Sequence, residues 1–250
     1  MPLALPPSSP PAIVRALRAD ERAFAATGSR AAALHRQALL RMLGERPDLG
    51  RAVERLAPSE RDDVEARIAL TRLSHLSPPL RARIRVGAAP RAARLTAWYR
   101  EAQRRFGVRW QLLAAVNFVE SAFGKLRNDS TAGAQGPMQF LPATWRAYGL
   151  GGNVHDAHDS ILGAANYLRA NGARTDERRA LYHYNRSSLY VSAVLHYAHR
   201  IAHVRTAFAE YYRWAVYVRT PTGYRRISSA SLNARSSDWR AFRRGSSSVS

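Results

Sequence analysis

The sequence predicts a mainly α protein with one small β-hairpin near the C-terminal end. Three observations carry this. Apolar residues recur at helical spacing in almost every segment, and residues such as Pro78-Pro79, Gly107 and Gly172 punctuate the runs. Apolar–polar alternation sets in only around residues 214–227.

Taken in order, Ile13, Val14, Leu17 and Phe24 mark a first helix. Leu34, Leu39, Leu40 and Leu43 mark a second, with Gly44 read as its C′ stop. Ser59 reads as the N-cap of a helix carrying Val64, Ile68 and Leu76, ended by Pro78-Pro79. Residues 1–90 thus form an Arg/Ala-rich helical region that packs on itself or braces the rest of the chain. From Pro90 the texture changes. A helix with Leu95, Trp98, Ala102 and Phe106 stops at Gly107, and another from about Trp110 carries Leu112, Leu113, Val116 and Val119 and ends near Glu120. Residues 128–140 (NDSTAGAQGPMQF) are too rich in Gly and small polar residues for helix. Pro142 suits the first turn of a short helix holding Trp145. Asp159 or Ser160 reads as the cap of a helix closing at Gly172. A last helix begins near Ser188 with Val191, Val194, Leu195 and Ile201. Residues 91–208 are therefore read as one helical domain. Residues 209–250 are an extension in which Trp214, Val216 and Val218 alternate up to the turn Pro221-Thr222-Gly223, and beyond it a Ser/Arg-rich stretch is expected to be disordered.

The chain has 250 residues, no Cys, and 39 basic against 18 acidic residues, a net charge of +21. Absence of Cys excludes a disulfide scaffold, a thiol nucleophile and thiolate metal sites. No apolar run is long enough to cross a membrane, and the opening residues do not read as an export signal. The charge points to a polyanionic partner or to a solvated basic surface. Arg outnumbers Lys so heavily, with Lys125 as the lone Lys, that codon usage explains the choice as well as guanidinium chemistry does.

Chemistry concentrates at Glu120, in LLAAVNFVESAFG. A carboxylate at the end of an apolar helix loses hydration, which disfavours its charged form and raises its pKa. That is the state a general acid needs. The alternative is a helix-terminal Glu that reaches solvent. His155, Asp156 and His158 have a spacing that could hold a metal, but a polar turn ahead of a helix explains them better, and no metal site or cofactor is expected. His196, His199 and His203 share a helical stripe with no carboxylate beside them in sequence.

Around Glu120 the order is Glu120-Ser121, Ser130, Gly133-Ala134-x-Gly136-x-Met138-Gln139, Pro142-x-Thr144-Trp145, Ala180-Leu181-x-x-Tyr184-Asn185, then Tyr190-Val191-x-x-Val194-Leu195-x-Tyr197-Ala198. Over roughly residues 96–205 this resembles the lytic transglycosylases of bacterial cell walls. Their catalytic domain has a helical fold like that of goose-type lysozyme. The resemblance implies that Glu120 is the single catalytic acid/base, and that Ser130, Gln139, Tyr184 and Asn185 line the substrate cleft. It also implies cleavage of the MurNAc–GlcNAc bond of peptidoglycan to a 1,6-anhydro end, and a location outside the cytoplasm. Peptidoglycan strands, and other anionic wall polymers, are the partners implied; nucleic acid is not. Two departures stand out. Pro137 replaces Leu, and Arg186-Ser187 replaces Ala-Gly, removing a residue that tolerates positive φ.

Two other readings stay open. One is a hydrolysing muramidase with Asp129 or Asp159 as second carboxylate. The other is an inert, basic polymer- or nucleic-acid-binding protein.

Overall fold

The structure is a computed structural model that describes residues 9–76, 84–221 and 223–227. Four helices come first: α1 (Pro10–Thr27), α2 (Arg30–Glu45), α3 (Pro47–Leu56) and α4 (Arg61–Leu76), the last entered through a 3-10 turn, Pro58–Glu60. Next come α5 (Ala92–Phe106), α6 (Trp110–Ser121), α7 (Pro142–Tyr148), α8 (Ala157–Ala170), α9 (Glu177–Tyr184), α10 (Ser188–His203) and α11 (Ala207–Arg213). The strands β1 (Val216–Thr220) and β2 (Gly223–Ile227) pair antiparallel, with Val216 opposite Ile227 and Arg219 opposite Tyr224. The mainly α class and the C-terminal hairpin are as the sequence predicts. The Ser/Arg-rich stretch from residue 228 and Pro78-Pro79 lie outside the described residues.

Helix α6 is the axis. Leu112, Leu113, Ala114, Ala115, Val116 and Asn117 are consecutive and all buried, so the helix is enclosed on every side and its C-terminal end is fixed in space. Helix α5 packs against α8, and α10 lies between α6 and α4. The amino-terminal helices therefore share one core with the rest: Leu17, Leu40 and Val64 belong to the same buried cluster as Leu113, Tyr197 and Trp214.

A buried ionic cluster ties these layers. The Arg36 guanidinium, fully buried on α2, meets Glu60 and Asp63 at 2.6 Å each and Glu210 at 3.1 Å. Arg200 on α10 reaches Asp63 at 3.0 Å and Glu21 on α1 at 2.7 Å, and Tyr211 of α11 donates to Asp63. Burial works against the Asp63 charge, but Arg200, Arg36 and the Tyr211 hydroxyl outweigh it and hold the carboxyl below its usual range. Burial pushes Glu210 up to about 7, against the pull of Arg36. Beside this cluster, Asp62 accepts from His196 (2.9 Å) and His199 (2.6 Å) of α10. The histidine stripe thus has its carboxylate after all, delivered from α4 by tertiary packing.

Four local expectations are corrected. Gly44 lies inside α2, not after it. A Cβ there would stand 2.6 Å from Thr71 Oγ1 and 3.0 Å from the Arg67 carbonyl, so the glycine marks a close crossing of α2 and α4. Ser59 sits within the 3-10 turn and caps nothing. Asp156, rather than Asp159 or Ser160, caps α8, accepting from the amides of His158 and Asp159. The helix from Ser188 is also not the last, since α11 comes after it.

The Arg36 cluster generates a stability prediction. Removing one partner of a buried ionic group leaves the others uncompensated, at a cost of roughly 3–5 kcal/mol. Arg36→Met should lower unfolding free energy by about that amount in urea titrations at neutral pH. A change below about 1 kcal/mol would show that the carboxylates reprotonate at little cost.

Candidate active site

Glu120 is the penultimate residue of α6, and the chain beyond it is strained. Ala122, Phe123 and Gly124 have φ of 50°, 65° and 78°, three left-handed residues in a row. The left-handed region costs an L-residue roughly 1–2 kcal/mol. Packing compensates at Phe123, whose buried ring contacts Phe118, Phe208 and Tyr212. Ser121 secures the same turn. Its hydroxyl donates to the Pro137 carbonyl at 2.5 Å and accepts from the Gly124 amide at 2.8 Å. Thus the residue after Glu120 ties the helix end to the loop of residues 128–140.

That loop closes on itself by paired backbone hydrogen bonds between Gln135 and Phe140, both 2.8 Å. Within it the Gln139 amide returns to the Gly136 carbonyl at 3.1 Å, which places Pro137 second in a four-residue turn, where its fixed φ is favourable. Gly136 is required by contact as well as by φ (+73°), because a Cβ would stand 2.0 Å from the Val154 carbonyl. Gln139 itself has φ of 52°, an unusual conformation for a side-chain-bearing residue.

The Glu120 carboxyl accepts from the Tyr190 hydroxyl at 2.6 Å. Burial pushes its pKa up to about 7, while the Tyr190 hydrogen bond works in the opposite direction; no charged side chain figures among the causes. Burial and the nearby carboxyl raise the Tyr190 phenol well above its ordinary value, so it remains a donor throughout the working range. Tyr190 is placed by the residues that depart from the family pattern. Ser187 replaces a glycine, yet its φ is −135°, and its hydroxyl accepts from the Tyr190 amide at 3.4 Å as the N-cap of α10. The turn needs no positive φ. The substitution exchanges backbone freedom for a cap.

Comparison with known proteins bears on this arrangement. Residues 98–202 match the family model described as Transglycosylase SLT domain. That segment is similar to a transglycosylase SLT domain. A membrane-bound lytic murein transglycosylase F of Thiobacillus denitrificans (strain ATCC 25259 / T1) is 37% identical over 70 residues, which are 28% of this chain and 14% of that relative. The similarity therefore spans about a seventh of the relative's length. No solved structure matches the chain.

Within the matched segment the four further residues singled out from sequence are differently engaged. Tyr184 stacks on Tyr190 with ring centroids 6.5 Å apart, and its hydroxyl donates to the Met138 carbonyl at 2.7 Å. The phenol directly on the carboxyl is Tyr190, a residue outside the set of site residues expected from sequence. Gln139 donates from Nε2 to the carbonyls of Gly136 (2.9 Å) and Asn128 (3.3 Å). The Ser130 hydroxyl accepts from the amides of Ala132 and Ala134 at 3.2 and 3.0 Å, shaping the loop. Asn185 is exposed and ends α9, its amide donating to the Leu181 carbonyl. Asp129 is exposed, and Asp159 accepts from the Asn153 amide at 2.9 Å. Asp156, His158 and Asp159 bring ligand atoms within 4.8 Å of one another, but Asp156 caps α8 and His158 is paired with Glu101 at 3.0 Å.

The raised pKa has a stability consequence whose sign is fixed. A carboxyl with a folded value near 7 against an ordinary 4.5 favours the native state while protonated and opposes it once ionised. The native state therefore carries no penalty below about pH 4.5, and the full penalty above about pH 7. Glu120→Gln should raise unfolding free energy by up to about 3 kcal/mol above pH 8 and leave it unchanged near pH 4. Parallel denaturant titrations at the two pH values test this; equal stability of both proteins at high pH would refute the raised value.

Proposed function

We propose that the protein is a peptidoglycan lytic transglycosylase acting outside the cytoplasm, with Glu120 as its single general acid/base. The observation that carries this reading is the Glu120 carboxyl itself: poised near 7, hydrogen-bonded by a phenol, and without a second carboxylate acting on it among the described residues. The SLT match and the lytic murein transglycosylase relative support the substrate class.

In the proposed reaction protonated Glu120 donates to the oxygen bridging MurNAc and GlcNAc. The bond from that oxygen to C1 breaks, and GlcNAc leaves with a free 4-hydroxyl. Glu120, now ionised and stabilised by the Tyr190 hydroxyl, takes the proton of the C6 hydroxyl of the same muramyl ring. O6 then closes on C1 to give the 1,6-anhydro end, and Glu120 is protonated again. The nucleophile is held within the substrate, so the ring closure is intramolecular and entropically favoured over attack by bulk water. A hydrolase would need a second carboxyl to activate water. Neither Asp129 nor Asp159 acts on Glu120 strongly enough to figure in its pKa.

We assign Gln139 and Asn185 to binding the glycan, Ser130 to shaping the cleft loop, and Tyr184 to the wall beside the reacting sugar. Two sets of variants test the reading. Glu120→Gln should lower turnover of purified peptidoglycan by ~10²–10⁴-fold or more, since the amide keeps the shape but cannot cycle a proton. Muropeptide mass spectrometry of the wild type should find products one water lighter than hydrolytic ones. Hydrolytic products alone would overturn the mechanism. Tyr184→Phe should act mainly on kcat, and Gln139→Ala mainly on KM. The reverse pattern would exchange their roles.

A further inference from the structure

A cavity of about 240 Å³ adjoins Glu120. Its floor is the end of α6, including Phe118, Glu120 and Ala122. Its walls come from outside the matched segment: Arg41 of α2, Arg67 of α4 and the hairpin's Tyr217 and Tyr224. The volume is below the ~300–1,000 Å³ of sites for drug-sized molecules, so it suits a substituent rather than a run of sugar rings.

Among the described residues no carboxylate forms an ion pair with either arginine of this cavity, although Glu45 acts on Arg41 at longer range. Arg36 and Arg200, elsewhere in the same bundle, are saturated with carboxylates. Arg41 instead lies over the Tyr217 ring at 4.0 Å and the Tyr224 ring at 4.5 Å, a cation–π seat that orients its guanidinium. Its acidic neighbour Glu45 pairs with His75 at 3.6 Å. The Nε of Arg67 is buried with no hydrogen-bond partner, and its guanidinium lies beside the Tyr197 phenol. Burial and the Arg67 charge lower the Arg41 pKa to about 10, so Arg41 stays cationic at neutral pH and the two guanidiniums repel each other. Neither shifts Glu120, so neither is its ion-pair partner. Two guanidiniums on one cavity beside a reacting carboxyl, one with an unpartnered buried Nε, are an incomplete site. A planar carboxylate accepting from both would relieve the repulsion and fill the missing hydrogen bonds.

We propose that this cavity is an anion subsite in which Arg41 and Arg67 bind a free carboxylate of the peptide stem carried by the muramyl residue next to the scissile bond. This rests on the transglycosylase reading above. It makes the amino-terminal helices and the hairpin part of substrate selection, and it makes the free acid, rather than its carboxamide, the preferred stem.

The test compares two soluble glycan substrates that differ only in whether the stem carboxylates are free or amidated. The wild-type protein should show kcat/KM at least ~10-fold higher on the free acid, the equivalent of about 1.4 kcal/mol. Arg41→Gln and Arg67→Gln should each bring that ratio towards one. Binding of the free-acid fragment to the Glu120→Gln protein, read by calorimetry, should weaken to the same extent with each arginine change. A wild-type ratio near one would overturn the proposal without any variant being made, and so would variants that keep the wild-type ratio. Failure of the wild type to cleave either substrate would instead overturn the transglycosylase reading on which the subsite depends.

Discussion

The salt-linked cluster around Asp63 is the constraint on which the rest of the molecule depends. One carboxylate on α4 receives Arg36 from α2, Arg200 from α10 and the Tyr211 hydroxyl from α11. Desolvated charges of this kind have no tolerant geometry, because each displaced partner leaves another uncompensated. The relative placement of four helices is thereby specified at one point. Helix α10 carries Tyr190 to Glu120, α11 leads the chain to the hairpin, and α2 and α4 supply the cavity arginines. An apolar seam of equal area would hold these helices together but would specify their register less sharply.

At the C-terminal end of α6 the molecule stores backbone strain. The left-handed run from Ala122 to Gly124 reverses the chain directly after Glu120-Ser121, and the aromatic cluster on Phe123 holds it there. A carboxyl at the end of an enclosed helix can be both desolvated and reachable, which a mid-helix position in this core would not allow. Glu120 is partly exposed while Asn117, one turn earlier, is fully buried. Protonation state and access are thus set by where the helix is made to stop.

Sequence patterning made the helical class, the end of α6, the loop after it and the hairpin legible, because each depends on local spacing or on Gly and Pro. What it missed depends on contacts distant in sequence. Gly44 looks like a helix stop until Thr71 and Arg67 are seen against it. Asp156 and Asp159 are equally good caps on paper, and only the geometry of the preceding turn selects Asp156. Tyr184 and Tyr190 both stand near the Glu120 carboxyl, yet which phenol reaches it is decided by the Ser187 cap and the direction of α10. A signal for Tyr190 was present in the sequence: a serine three residues before a tyrosine at the start of an apolar helix. Arg41 and Arg67 gave no signal at all among so many arginines, since what distinguishes them is their shared place on the cavity beside Glu120.

The Gln37 side chain exchanges two hydrogen bonds with the backbone of Ala215, at 2.8 and 2.9 Å, across 178 positions of sequence. Few contacts in a helical protein close so long a loop, and such contacts form late because chain entropy opposes them until the rest is in place. The helices of the segment that matches the SLT model can condense from local contacts, while the wall that Arg41 shares with the hairpin waits for residue 215. A chain emerging amino-terminus first would therefore assemble its acid before its arginine wall. The step that completes the molecule is a clasp between two segments that both lie outside the SLT match.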